Sequence, residues 1–251
     1  MSVRIRNPHS LLAVLNTRPK DVQKIQISRG MDKSGNPDDP WQQVLKLARD
    51  HKIQVATKAP EAPHGGFSAS DEGGREGGAE GTVKEKDSIP MELLFSGASE
   101  KKGGRGLWLA LDCLQDPHNV GAIFRAAGFF GVQGILLTQE RSAPISPTVY
   151  DVASGGVEVV PFSLQTNLQQ ALQFAKDQGI WVLGTSEHAK EGLETVKPDR
   201  PWLLVLGNEE KGMRRLTQES CDVLCGIQPK GSVTSLNVSV AAGVLMSHLT
   251  K

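Results

Sequence analysis

Four short loops of this chain carry side chains able to do chemistry. The first runs from Asp112 to Gly121 and places Asn119 just ahead of a helix bearing Arg125. The second is Gly184-Thr185-Ser186, and the third is Gly207-Asn208-Glu209-Glu210-Lys211-Gly212. The fourth runs from Pro229 to Gly243 and contains Ser235, Leu236 and Asn237. Together they supply amides, hydroxyls, a guanidinium, carboxylates and free backbone N–H groups at a helix entrance, which suits binding and orienting a polar ligand. Asn237 stands at the start of a small-residue helix running from Ser239 to about Leu249, so capping that helix is one reading and contacting a ligand is another. Familiar nucleotide loops do not fit. Gly207 to Gly212 has the G-x4-G spacing of a phosphate loop, but Met213-Arg214 replaces the Lys-Ser/Thr pair and two glutamates would repel phosphates. No G-x-G-x-x-G follows a strand. A glycine-tight acidic loop beside a hydroxyl-rich one suits a neutral or cationic ligand.

The elements that must position these loops are regular. Short apolar strands are expected at Leu107–Leu111, Gly134–Leu137, Val157–Pro161, Ile180–Leu183, Trp202–Leu206 and Val223–Ile227. Helical segments alternate with them, most clearly at Val120–Phe130, Leu168–Gln178 and Met213–Ser220. Strands that are apolar throughout and separated by helices predict an α/β fold with a largely parallel sheet covered on both faces. Such sheets bind ligands at the carboxyl ends of their strands, where all four loops fall. Residues 1–60 read as a smaller α/β module, with helices over Pro8–Leu15 and Trp41–Asp50 and strands over Val22–Ile27 and Lys52–Ala56. Between the two modules, residues 61–105 are rich in Gly with mixed charge and little apolar periodicity. That composition predicts a flexible linker, with Met91 to Phe95 docking locally.

The composition narrows the function further. The 251 residues are 38% hydrophobic and 22% charged, ordinary for a soluble globular protein, and no apolar run approaches a membrane span. Residues 1–20 hold four cations and no acid, faintly like a transit peptide, but read better as structure. Net charge is zero overall, yet residues 1–60 hold 11 Lys/Arg against 5 Asp/Glu, which points the front module toward a polyanion. Cys113, Cys221 and Cys225 form no paired framework and no CxxC, so they read as structural thiols of a reducing, cytoplasmic compartment, and no metal site is expected.

Three segments, in order and in spacing, carry a resemblance. Asp116-Pro117-His118-Asn119-Val120-Gly121-Ala122-Ile123-Phe124-Arg125-Ala126-Ala127, Leu206-Gly207-Asn208-Glu209-Glu210-Lys211-Gly212-Met213, and Ile227-Gln228-Pro229 through Ser235-Leu236-Asn237-Val238-Ser239-Val240-Ala241 resemble the three signatures of the SpoU-type (SPOUT superfamily) RNA ribose 2′-O-methyltransferases. The likeness spans about Leu107 to Leu249. Residues 7–15 also resemble the family's small L30-like RNA-binding domain.

The resemblance implies a 106–251 catalytic domain with a C-terminal trefoil knot, S-adenosylmethionine as cofactor, and RNA as partner, with a guanosine of 23S ribosomal RNA the expected target. Gly207, Ile227 and Leu236 would hold the cofactor largely through backbone, with Leu206, Ser235, Thr185 and Gly184 lining the same pocket. Arg125, Asn119, Glu209 and Asn237 would occupy the catalytic positions. Arginine seldom yields its proton, so Arg125 is expected to grip a phosphate and favour a developing alkoxide. His118 stays outside this set. Ser154 to Glu158 matches a further family stretch tied to folding or dimerisation, and a homodimer is expected, with Ala241, Ala242 and Gly243 allowing close helix packing. The linker is long for the family and lacks its usual His-Gln-Gly element. A tRNA substrate, or a non-catalytic RNA-binding role on the same fold, are the competing readings.

Overall fold

The computed structural model describes residues 1–28, 30–31, 36, 38–58, 78–98 and 105–251. The chain divides into two compact units, Met1–Lys86 and Asp87–Lys251.

In the first unit, β1 (Ser2–Ile5), β2 (Val22–Ile27), β3 (Val55–Thr57) and β4 (Glu80–Lys84) form a sheet of order β1-β4-β2-β3, and helices α1 (Pro8–Thr17) and α2 (Pro40–Asp50) accompany it. Each helix starts on an Asx cap followed by proline. Asn7 accepts from the His9 and Ser10 N–H groups and Asp39 from that of Trp41, which satisfies donors the first turn leaves open. Val3, Ile5, Ile25, Ile27 and Val83 are buried with Leu11, Val14, Val44, Leu45 and Ala48, while Trp41 is half-buried. Gly81 stands so close to Leu11 that a Cβ would lie 2.5 Å from its Cδ1.

The boundary expected at residue 60 is therefore displaced. Glu80–Lys84 closes the first sheet between β1 and β2, so part of the expected 61–105 linker is core structure. Its Glu-Gly-Thr-Val-Lys sequence has one strongly apolar residue, and only pairing on both sides makes it a strand. The other expected linker residues at 61–77 and 99–104 lie outside the described residues.

The second unit opens with a short helix, α3 (Met91–Leu94), whose Leu94 carbonyl accepts from Trp108 Nε1 at 3.0 Å. Seven parallel strands follow: β5 (Gly106–Leu111), β6 (Gly134–Thr138), β7 (Phe162–Gln165), β8 (Trp181–Thr185), β9 (Glu191–Gly192), β10 (Pro201–Leu206) and β11 (Val223–Gly226). Their order is β7-β6-β5-β10-β8-β11-β9, with every pairing parallel. β5, β6 and β10 are buried almost end to end, which explains their unbroken apolar sequences. From β5 the chain moves outward through β6 and β7, then returns on the other side of β5 as β8, β10 and β11. That reversal is a switch point of the kind that opens a crevice above the strand ends.

The helices of this unit are α4 (Pro117–Phe130), α5 (Pro147–Ala153), α6 (Gly156–Val159), α7 (Leu168–Asp177), α8 (Arg215–Glu219) and α9 (Val238–Leu249). α4 is capped by Asp116, begins at Pro117 and stops at Gly131, whose φ of 68° is left-handed. The strand expected at Val157–Pro161 is instead the turn of helix α6, with the strand displaced to Phe162–Gln165. Three valines around one glutamate do not separate the two states by themselves. Here Gly155, at φ 96°, turns the chain, and Pro161 forces Val160 to be extended, which ends the helix. Packing sets the rest. A Cβ on Gly156 would sit 2.4 Å from the Phe124 carbonyl oxygen and 2.8 Å from the Arg125 nitrogen, so α6 lies directly on the backbone of α4.

Among the described residues, no helix is long and apolar enough to cross a membrane, and no group of three or more His, Cys, Asp or Glu could hold a metal. Cys113 and Cys225 are buried and Cys221 is half-buried; burial pushes the thiols of Cys221 and Cys225 up to about 12 and about 11. Gly156→Ala is expected to push α6 off α4 and destabilise the protein by about 1–3 kcal/mol, read as a lowered midpoint in thermal unfolding.

Candidate active site

The loops after β5, β10, β8 and β11 lie side by side because those four strands are neighbours in the sheet. The loops after β8, β10 and β11 surround a cavity of about 650 Å³, while the loop after β5 contributes no lining residue, so Asn119, Arg125 and Asn237 stand outside the lining. Thr185 lines one side, Leu206, Gly207 and Glu209 another, and Ile227, Ser235 and Leu236 a third, with Ala241 and Leu245 of α9 behind. Seven of the eleven residues expected at the site thus line one space.

Three of the four residues expected to be catalytic are joined by direct hydrogen bonds. Asn119, 6% exposed, donates through Nδ2 to Glu209 Oε1 at 3.1 Å. Asn237 Nδ2 donates to Asn119 Oδ1 at 3.0 Å. One side-chain amide therefore ties the first, third and fourth loops together. Asn237 also caps α9, accepting from the Ser239 N–H at 2.9 Å and its hydroxyl at 2.6 Å, so the cap reading of this residue holds. The Glu209 carboxylate stands at the amino end of α4, within 3.5 Å of the Gln115 N–H and 3.4 Å of the Asp116 N–H, where the helix dipole favours an anion. Arg125 lies six residues past Asn119, about 9 Å along the helix. It is exposed, with no hydrogen bond or ion pair among the described residues. Nothing links it to the Asn119–Glu209–Asn237 cluster within the chain.

The third loop owes its shape to Gly207 and Asn208. A Cβ on Gly207 would lie 2.2 Å from the Met213 nitrogen and 2.3 Å from the Gly212 carbonyl carbon, so only glycine lets the loop close on itself. Asn208 and Gly212 exchange backbone hydrogen bonds of 3.0 and 2.9 Å, and Gly212 takes a φ of 64°. The Asn208 side chain accepts from the Glu210 and Lys211 N–H groups and donates to both the Cys113 carbonyl and Glu209 Oε2. Asn208 thus fixes Glu209 from the other side. Gly184 does not line the cavity; it is buried beneath, where a Cβ would meet Cys221, Leu224 and Met213.

A further anchor escaped the sequence reading. Asp112, with a fully buried side chain, receives Arg214 Nε at 2.8 Å and Nη2 at 2.7 Å on Oδ1, and the Arg214 backbone N–H on Oδ2 at 3.2 Å. Desolvation lowers the guanidinium's affinity for its proton, but the Asp112 hydrogen bond and charge outweigh it and leave the Arg214 pKa raised. A charged residue directly after a buried strand, with an arginine just past the third loop, was the available signal.

The geometry is that of a cleft walled by three strand-end loops. The chain belongs to the SpoU rRNA methylase family, whose model matches residues 106–247. Among curated relatives, the 23S rRNA (guanosine-2′-O-)-methyltransferase RlmB of Pseudomonas aeruginosa is 36% identical over 251 residues, covering 99% of this chain and 96% of that protein. The enzyme of the same name from Nitrosomonas europaea is 45% identical over 156 residues, or 62% of this chain and 58% of that protein. Among solved structures, the SpoU methyltransferase AviRb of Streptomyces viridochromogenes in complex with AdoMet aligns with a TM-score of 0.76 at 18% identity, covering 99% of this chain and 89% of that one. That last likeness speaks to the fold.

Arg214→Met strands the buried Asp112 carboxylate and is expected to cost about 3 kcal/mol, whereas Asp112→Asn leaves a half-exposed guanidinium that water can serve and costs nearer 1 kcal/mol. Denaturant unfolding of the two variants gives the order; the reverse order would contradict the assignment.

Proposed function

We propose that this chain uses S-adenosylmethionine to methylate the 2′-hydroxyl of a ribose in RNA, with a guanosine of 23S ribosomal RNA as target. The observation that carries this reading is the hydrogen-bonded set Asn119–Glu209–Asn237, whose Glu209 lines the cavity, in a chain that aligns over nearly its whole length with an enzyme of that name.

The cavity fits the cofactor. About 650 Å³ is in the range of small-molecule sites. The glycine at 207 removes the one side chain that would fill the turn, leaving backbone groups of Leu206, Gly207 and Ile227 for hydrogen bonds. Glu187, Glu209 and Glu210 outnumber Lys211 and Lys230 in its lining, which suits a ligand carrying positive charge. When bound, S-adenosylmethionine supplies an electrophilic methyl on a sulfonium. Alignment of the attacking oxygen with that carbon is then most of the task. Arg125, exposed and unpaired among the described residues, is suited to holding the phosphate beside the ribose and to favouring the alkoxide that forms as the proton leaves. Asn119 and Asn237 fix Glu209 so that its carboxylate presents one orientation to the ribose hydroxyls.

The same reading extends to the architecture. We infer that the strand–loop segments after β10 and β11 form the family's trefoil knot, that the first unit is its L30-like RNA-binding domain, and that the protein works in the cytoplasm as a homodimer. Support for the dimer lies on α9, where Val240 and Val244 are 52% and 41% exposed on either side of Gly243, whose missing Cβ faces open space. Of the expected small face, Ala242 is instead packed inside the unit.

Purified protein is expected to transfer labelled methyl from S-adenosylmethionine to a 23S ribosomal RNA transcript. Arg125→Ala should lower that rate by roughly 10²-fold or more while calorimetric cofactor affinity stays within about threefold. Absence of transfer to ribosomal RNA by the intact chain would sink the reading.

A further inference from the structure

The sheet of the first unit has two unlike faces. One is closed: Val3, Ile5, Ile25, Ile27 and Val83 are buried with the apolar residues of α1 and α2. Side chains alternate along a strand, so the intervening residues point the other way. In register across the sheet these are Arg4, Thr82 and Lys24, with Ser2 and Lys84 in the next row and Glu80 and Gln26 on the far side. A bulge between Val22 and Lys24 matters here. It places Gln23 and Lys24 both outward, against the strand's simple alternation, and so brings Lys24 opposite Thr82.

Charge on this face is sorted. The four strands contain three cations, Arg4, Lys24 and Lys84, and a single acid, Glu80. Glu80 is 5% exposed and already engaged, with Lys58 Nζ at 3.4 Å and Arg6 Nε at 4.0 Å. Arg4 and Lys24 are exposed, and neither has an acid within ion-pair distance among the described residues. They flank Thr82 from the two neighbouring strands, roughly 10 Å apart by strand spacing. Bulk charge does not produce this. Residues 1–86 hold 14 Lys/Arg against 11 Asp/Glu, so the unit as a whole is only weakly basic, whereas the strands hold three cations against one acid.

We propose that the open face of this sheet, centred on Arg4, Thr82 and Lys24, is a track for the phosphate backbone of the RNA substrate. The proposal rests on the reading of the chain as an RNA methyltransferase and deepens it. Complementary charge chooses the occupant, and composition chooses the mode. No strand of this sheet carries an aromatic residue, so bases have no stacking platform, and contacts go to phosphate and sugar. Binding here is therefore insensitive to sequence and strongly dependent on salt. It holds the RNA while target choice lies elsewhere.

The test compares full-length variants on one 23S ribosomal RNA transcript. R4Q/K24Q removes two charges from the open face, and K46Q/R49Q removes two exposed charges from α2, on the helical side of the unit. R4K/K24R keeps the charge and serves as rescue. At about 0.1 M salt R4Q/K24Q is expected to bind on the order of tenfold more weakly, with the slope of log affinity against log salt shallower by about 1.4, at about 0.7 for each phosphate contact to a single strand. K46Q/R49Q and R4K/K24R should keep the wild-type slope. Equal loss in R4Q/K24Q and K46Q/R49Q, or no loss in R4Q/K24Q, would overturn the proposal. Wild-type methylation of the same transcript is measured alongside. Its failure would strike the reading of function, whereas an unchanged slope in R4Q/K24Q with methylation intact strikes the track alone.

Discussion

One buried amide holds the site together. Asn119 is almost wholly removed from water, and its two polar atoms are spent on two different loops, the nitrogen on Glu209 and the oxygen on Asn237. A buried amide that loses a partner costs about 1–3 kcal/mol, so each loop is held to the geometry that satisfies the other. Asn119 is in turn fixed by its place in the first turn of α4, which Asp116 caps and Pro117 starts. Asn119 thus ties the third loop to the start of α9, beside the anchors that Asn208 and Asp112 supply.

Backbone close approach does the complementary work. Gly207 and Gly156 each occupy a place where a methyl group would overlap main-chain atoms, one closing the third loop and the other seating α6 against the residues that carry Arg125. Glycine at these points is a requirement of space rather than of φ. The pair of buried Asp112 and half-exposed Arg214 adds a charged anchor, joining the end of β5 to the far end of the third loop. Removing Arg214 strands the buried Asp112 carboxylate, whereas a lone Arg214 is half-exposed and served by water.

Much of this was legible in the chain because the elements are strongly patterned. β5, β6 and β10 are continuous apolar runs, and only a doubly covered parallel sheet explains them. Placement of the four loops at strand ends followed, whereas the grouping of Asn119, Glu209 and Asn237 came from the resemblance, which placed Arg125 with them although it stands apart. What was hidden depended on tertiary partners. β4 has a weak strand sequence and exists through pairing on both edges; α6 has a strand-like sequence and is helical because Gly156 must lie on α4. Gly184 sits one layer below the cavity, since adjacent residues of a strand point to opposite faces and Thr185 takes the upper side. Asn208 and the Asp112–Arg214 pair act through distant residues, over sequence separations no local pattern reports.

The central claim is that Asn119 and Asn237 act as one unit that orients Glu209. A double-mutant cycle on methyl transfer to ribosomal RNA tests it directly, using Asn119→Ala, Asn237→Ala and the double variant. If the two amides form a single device, the double variant loses little more than the worse single one, a coupling of about 1–3 kcal/mol. Rate losses that simply multiply would show two independent residues and contradict the account.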